Sequence, residues 1–181
     1  LHRIRGNAYG AFAYGVARPD TSRIQPATSW ALQLWGEYLL ASNADDGKVY
    51  EWQLSTGTPA AQVANAPVDN KSIVVTEERF LMCLGAGGNP RKVQWSDRED
   101  NTTWTPAATN EAGDLELATL GEIMAGVPVR GQTLILTTRD AHVANYIGPP
   151  YVYGIEQVGS SCGLASNLAY ASVDAGCFWM G

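Results

Sequence analysis

Three stretches of this chain place acids or glycines where an ion could bind. In "SDREDNTTW" (96–104), Asp97, Glu99 and Asp100 could ligate a hard cation such as calcium, which takes carboxylate and carbonyl oxygens. Their spacing does not follow the EF-hand loop, which needs a central Gly and a final Glu. The stretch is expected to be an acidic connection with an Asx-type bend before Trp104. "NADDGK" (43–48) raises the same question, but Asp46-Gly47 between two apolar runs signals a hairpin turn. "GAGGNP" (85–90) has the glycines of a phosphate cradle, yet no helix pattern and no Gly-Lys-Ser/Thr follow. It too is expected to be a hairpin loop.

A nucleophile is harder to find. "GSSCG" (159–163) puts Cys162 where a Gly-x-Ser-x-Gly elbow has its serine. Cys162 with His142 as base, and Asp140 or Asp174 orienting the imidazole, would make a nucleophile, a base and an orienting acid. Nothing in the spacing supports that set, and a Cys in a Gly-Ser turn packs as a small residue. His2 has no evident partner. Cys83, Cys162 and Cys177 form no CxxC pair and no closed disulfide framework. Cys83 in "FLMCL" and Cys177 in "GCFWM" are expected to be buried and reduced, with Cys162 in a turn. Asn70-Lys71-Ser72 and Asn101-Thr102-Thr103 fit the glycosylation sequon, which carries little weight without a secretory signal. The sequence therefore assigns no catalytic residue, no metal ligand and no cofactor.

These residues need elements to position them, and the elements repeat. "WGEYLLASNADDGKVYEW" (35–52), "EERFLMCLGAGGNPRKVQW" (77–95) and "RGQTLILTTRDAHVANY" (130–146) each hold two strand-forming runs around a turn. Each follows another strand-like run: 29–35, 71–76 and 122–129. A fourth run, 168–173, precedes the opening of one more hairpin. Tyr38, Phe80, Thr133 and Phe178 hold equivalent places, at intervals of 42, 53 and 45 residues. That period suits β-propeller blades better than a β-sandwich, which rarely repeats one unit. The expected fold is all-β, a propeller-like repeat of antiparallel blades forming one domain over 1–181. Its units are a partial one at 1–28, blades at about 29–70, 71–121 and 122–167, and a partial one at 168–181. Such a set is incomplete, completed by more of the protein or by neighbouring copies. "FLMCL" and "LILTT" are expected to be the inner strands.

Composition agrees. Across 181 residues, 45% are hydrophobic and 17% charged, with 19 Gly, 9 Pro, 6 Trp and 8 Tyr, a balance suited to short aromatic strands joined by turns. The net charge of −6 argues against tight nucleic-acid binding, which needs a basic surface. No apolar run reaches the roughly 18 residues of a membrane span. The glycine-broken start does not read as a signal peptide, and because the sequence does not open on Met it is expected to begin inside a longer product.

Two segments carry a resemblance: "VQWSDREDNTTWTPAATNEAGDLEL" (93–117) and "GPPYVYGIEQVGSSCGLASNLAYASVDAGCFWMG" (148–181). They resemble a family of bacteriophage and prophage structural proteins. In that family a strand ending in Trp-Ser-Asp leads to Trp-Thr-Pro, and a Gly-Pro-Pro-aromatic segment precedes a Gly-Ser-x-Cys-Gly turn. More loosely they are similar to β-propeller tail components of short-tailed phages, the nozzle or DNA-stabilisation proteins beneath the portal. The resemblance implies a non-enzymatic virion protein of the tail or head–tail junction, part of a ring or tube through which DNA passes. Its partners would be copies of itself, other tail or connector proteins and, transiently, genomic DNA. It would be assembled in the host cytoplasm and reside in the virion. Trp95 and Trp104 would pack at a blade seam, with Asp97, Glu99 and Asp100 facing water or an acidic lumen. A glycan- or receptor-binding tail module and a polysaccharide hydrolase are the alternative readings.

Overall fold

Positive-φ turn residues set the strand pairing. Arg130 and Gly131, with φ of 48° and 77°, join two strands as a two-residue turn whose backbone twist matches the strands it connects. Gly36, with φ of 62°, opens an equivalent turn before Glu37. The computed structural model describes residues 2–4, 24–26, 29–173 and 176–181, the first two stretches as backbone alone. Most of the expected partial unit at 1–28 therefore lies outside the described residues. There, β1 (His2–Ile4) and β2 (Ile24–Pro26) form a two-stranded antiparallel sheet.

Three four-stranded antiparallel sheets follow, each built in chain order. The first blade is β3 (Trp30–Trp35), β4 (Tyr38–Asn43), β5 (Val49–Trp52) and β6 (Ala61–Gln62). The second is β7 (Ser72–Val75), β8 (Leu81–Leu84), β9 (Lys92–Trp95) and β10 (Gly113–Glu116). The third is β11 (Ile123–Val129), β12 (Gln132–Thr137), β13 (Asp140–Gly148) and β14 (Val152–Ser160). A two-stranded half-blade, β15 (Tyr170–Val173) and β16 (Gly176–Trp179), comes last. The fold is all-β and propeller-like, with a single 3₁₀ turn at Ala86–Gly88 and no α-helix among the described residues.

The middle blade shows why its strands lack polar alternation. Successive side chains point to opposite faces, and both faces are covered. Ile73, Leu81 and Cys83 pack against Trp35, Leu40 and Val49 of the first blade. Val74, Phe80, Met82, Leu84 and Val93 pack against Ile123, Ile135 and Ala144 of the third. Every residue of β8 is buried. Each large side chain buried in this way contributes about 1.5–3 kcal/mol. The first strands β3, β7 and β11 lie side by side. "FLMCL" and "LILTT" are second strands, interior to their four-stranded sheets as expected, and apolar because blades cover both their faces.

The acidic stretch after Trp95 joins β9 to β10 and fastens the blades together. Trp95 belongs to the core between the second and third blades, Trp104 to the core between the first and second. Asn101 donates to Glu51 at 2.7 Å, and Asn65 donates to the Thr102 carbonyl at 3.1 Å. Another tie is Asn70, whose side chain donates to the carbonyls of Gly47 (2.7 Å) and Pro67 (2.6 Å). Gly47, with φ of 58°, is required there, since a Cβ would sit 2.3 Å from the Asn70 nitrogen. The asparagines of both sequons are thus buried and engaged.

Candidate functional site

The acids that sequence reading singled out are occupied by their own turns. Asp97 Oδ1 accepts the backbone N–H of Arg98 and of Glu111, each at 2.8 Å. Asp100 accepts from the Thr102 amide (2.8 Å), the Thr102 hydroxyl (2.6 Å) and the Thr103 hydroxyl (2.8 Å). The Thr102 hydrogen bonds lead in holding the Asp100 carboxyl below its ordinary range. Asp97 and Asp100 are half-buried, while Glu99 is exposed and at φ 56°. Asp46 accepts from the Lys48 amide (3.1 Å) and the Tyr50 hydroxyl (2.7 Å). No group of three or more His, Cys, Asp or Glu side chains is arranged to hold a metal among the described residues. In the "GAGGNP" loop the Gly87 N–H donates to the Val68 carbonyl at 3.0 Å, and the chain continues into β9. These carboxylates and amides act as turn locks.

The most concentrated buried polar chemistry lies where β12 turns into β13. Thr137 Oγ1 accepts the amides of Arg139 (3.0 Å) and Asp140 (2.9 Å) and donates its own proton to Asp140 Oδ1. Thr119 donates to Asp140 Oδ2 at 2.6 Å, and Gln157 approaches the same oxygen at 3.5 Å. His142 Nε2 lies 3.2 Å from Oδ1. Both Asp140 and His142 are buried, at 8% and 4% exposure. Burial pushes the Asp140 carboxyl upward, but the Thr119 and Thr137 hydroxyls and the nearby His142 outweigh it, and the net displacement is downward.

Part of the expected constellation is therefore real. His142 is bonded to Asp140, while Asp174 lies outside the described residues. Cys162 is not joined to them. Its amide donates to the Arg139 carbonyl (3.0 Å), its carbonyl accepts from Trp179 (2.8 Å), and its Sγ rests against Gly159. An open cleft of about 420 Å³ runs past Asp140, Arg139, Gln157, Ser160 and Ser161, but His142 does not line it. The imidazole nitrogen that would take a nucleophile's proton in an acyl-transfer site here faces the carboxylate. General-base work needs the base within about 3 Å of the proton it removes. The arrangement instead holds a hairpin shut with a carboxylate whose acceptor positions are filled.

Sequence reading missed an aromatic cluster at the seam of the second and third blades. Phe80, Trp95, Tyr146 and Tyr153 stack edge-on or tilted, with centroids 5.3–5.8 Å apart. Tyr153 meets Thr76 at 2.9 Å and donates to Glu78 at 3.2 Å; burial pushes its phenol up. The signal available was the strand-forming run after Gly-Pro-Pro, broken for the eye by Gly154. Cys83 is fully buried and its thiol pushed up by burial, as its apolar run implies. Cys177 departs from expectation: it is only half-buried. All three cysteines are free. No family model matches the chain, and no curated protein matches it significantly.

Proposed function

We propose that this chain is a non-enzymatic structural module of a virion, of the phage tail or head–tail junction kind that its motifs resemble, and that it works by assembling with copies of itself or neighbouring tail proteins. The observation that carries this reading is the outer face of the first blade. Trp30, Leu32 and Leu34 stand 49%, 57% and 70% exposed, although their equivalents in the middle blade are covered. The pairing register puts Leu39, Ala41, Tyr50 and Trp52 on the same face. Phe178, Met180 and Val173 of the half-blade and its flank are exposed likewise. Contiguous apolar surface of this kind marks interaction sites on soluble proteins. The Asp140 carboxylate, its acceptor positions filled by Thr119, Thr137 and His142, favours a structural over a catalytic role.

Passage of DNA along an acidic lumen draws no support from the inner strands. β3, β7 and β11 carry no charged residue, and Asp97, Glu99 and Asp100 sit on an outer connection. Sedimentation over a wide concentration range tests the assembly reading. Wild type should form larger species as concentration rises, and Leu32→Lys and Leu34→Lys should stay monomeric while keeping the native circular dichroism spectrum. A wild type that remains monomeric at millimolar concentration removes the proposal.

A further inference from the structure

We infer that the cavity between the first strands of the first two blades and the segment leading into β15 is a binding site for one sugar ring. Its volume is about 210 Å³, the space of about seven liquid waters. β3 supplies Trp30, Leu32 and Gln33 to the wall, and β7 supplies Ser72 and Ile73. Leu168 and Tyr170 close the far side. Asn167 Nδ2 donates to Ser29 Oγ at 2.6 Å, which holds that far side against the approach to β3.

Hydrogen-bonding capacity that the protein leaves unused marks this space. Ser72 is buried, at 9% exposure, yet its hydroxyl bonds to no other described residue. The Tyr170 hydroxyl and the Gln33 amide on the same wall are also without partners among the described residues. Burial pushes the Tyr170 phenol up, so it keeps its proton and can donate. β3 and β7 are edge strands, so alternate backbone N–H and C=O groups along them have no partner within their sheets. Buried polar groups nearly always find a partner, because an unmade hydrogen bond destabilises the fold. Three such side chains on one cavity call for a guest that supplies the missing partners.

The donors and acceptors decide the class of guest. Ser72, Tyr170 and Gln33 each both donate and accept, which matches hydroxyl groups. A carboxylate or phosphate only accepts and would use half of that capacity. Lys71, the one charged residue of the lining, disfavours a cation. Trp30, half exposed, and Leu32, Ile73 and Leu168 form an apolar flank for the C–H side of a ring. A purely apolar guest would leave the three polar groups unpaired. The cavity is smaller than the roughly 300 Å³ at which drug-sized pockets begin, so a longer glycan would enter by one terminal ring.

The site does not depend on the assembly reading, although Trp30 and Leu32 also belong to the exposed face of the first blade. The test is therefore made on dilute, monomeric protein. Nuclear magnetic resonance spectra of the full chain, which at 19.4 kDa is within range, are recorded against glucose, galactose, mannose and N-acetylglucosamine. Acetate and benzoate serve as anionic probes. At least one sugar should shift the Trp30 indole N–H and the Gln33 side-chain amide saturably. The dissociation constant should be about 1 mM, the affinity that about a dozen non-hydrogen atoms give at modest efficiency. Ser72→Ala removes a hydroxyl that bonds nothing in the protein, so it should keep the urea midpoint and weaken sugar binding about tenfold. No saturable shift with any sugar, shifts with acetate or benzoate alone, or sugar binding unchanged in Ser72→Ala would each overturn the inference. Sugar binding by a chain that never assembles removes the assembly proposal and leaves this site standing; assembly without sugar binding does the reverse.

Discussion

At Asp140, one carboxylate gathers two threonine hydroxyls, a glutamine amide and an imidazole inside a hairpin. Such a group ties stability to pH. Its folded pKa is depressed, so the unfolded chain takes up the proton first as pH falls. The stabilisation is complete above the unfolded value of about 4 and is lost as pH drops through the lower folded value. Asp100 adds in the same direction. Thermal melts should therefore lose midpoint temperature below about pH 4, and Asp140→Asn should flatten that loss. Removing the acid outright, Asp140→Ala, leaves Thr119 and His142 without their partner and should cost about 1–3 kcal/mol in urea unfolding. The thiols give a second check. Cys83, with no exposure, should react with a thiol reagent only on global unfolding, and Cys162 and Cys177 should react in the native protein. Sequence reading named His142, Asp140 and Cys162 together because their types permit catalysis. Asp140 and His142 share a face of β13 because they stand two residues apart on one strand, which the strand period could have shown. That the Cys162 thiol turns towards Gly159 was not legible, since it follows from how the segment after β14 packs.

Among the elements, hairpins were legible and outer strands were not. The pairings of 38–42 with 49–52 and 80–84 with 93–95 appear in the registers Leu40↔Glu51 and Cys83↔Gln94. They could be read because apolar runs flank turns that need glycine or Asx residues. β6, two exposed residues, and β10, half exposed, bury too little to leave a pattern. β14 is long but carries Gly154 and an exposed polar centre, so its alternation is hidden. The 96–112 connection was legible as a solvated turn, yet its purpose, placing Trp104 between two blades, was visible only as a resemblance. Trp104→Ala should cost about 3–5 kcal/mol, the usual range for a buried tryptophan. Trp30→Ala, on the uncovered face, should change monomer stability far less, and a urea titration of both compares them directly.

For the whole molecule, the sequence period suggested blades but left their number open, because interval lengths do not record how far each blade turns about the axis. A hydrogen bond from Asn167 to Ser29 ties the approach to β15 to the approach to β3. The apolar faces of the first blade and the half-blade are the surfaces through which association is proposed to run. Electron microscopy of the purified protein at high concentration is the most direct test of the proposal that this is an assembling structural module. Rings or tubes of one fixed symmetry, lost in Leu34→Lys, are the predicted result. Monodisperse single particles at every concentration, with an unaltered fold, would contradict it.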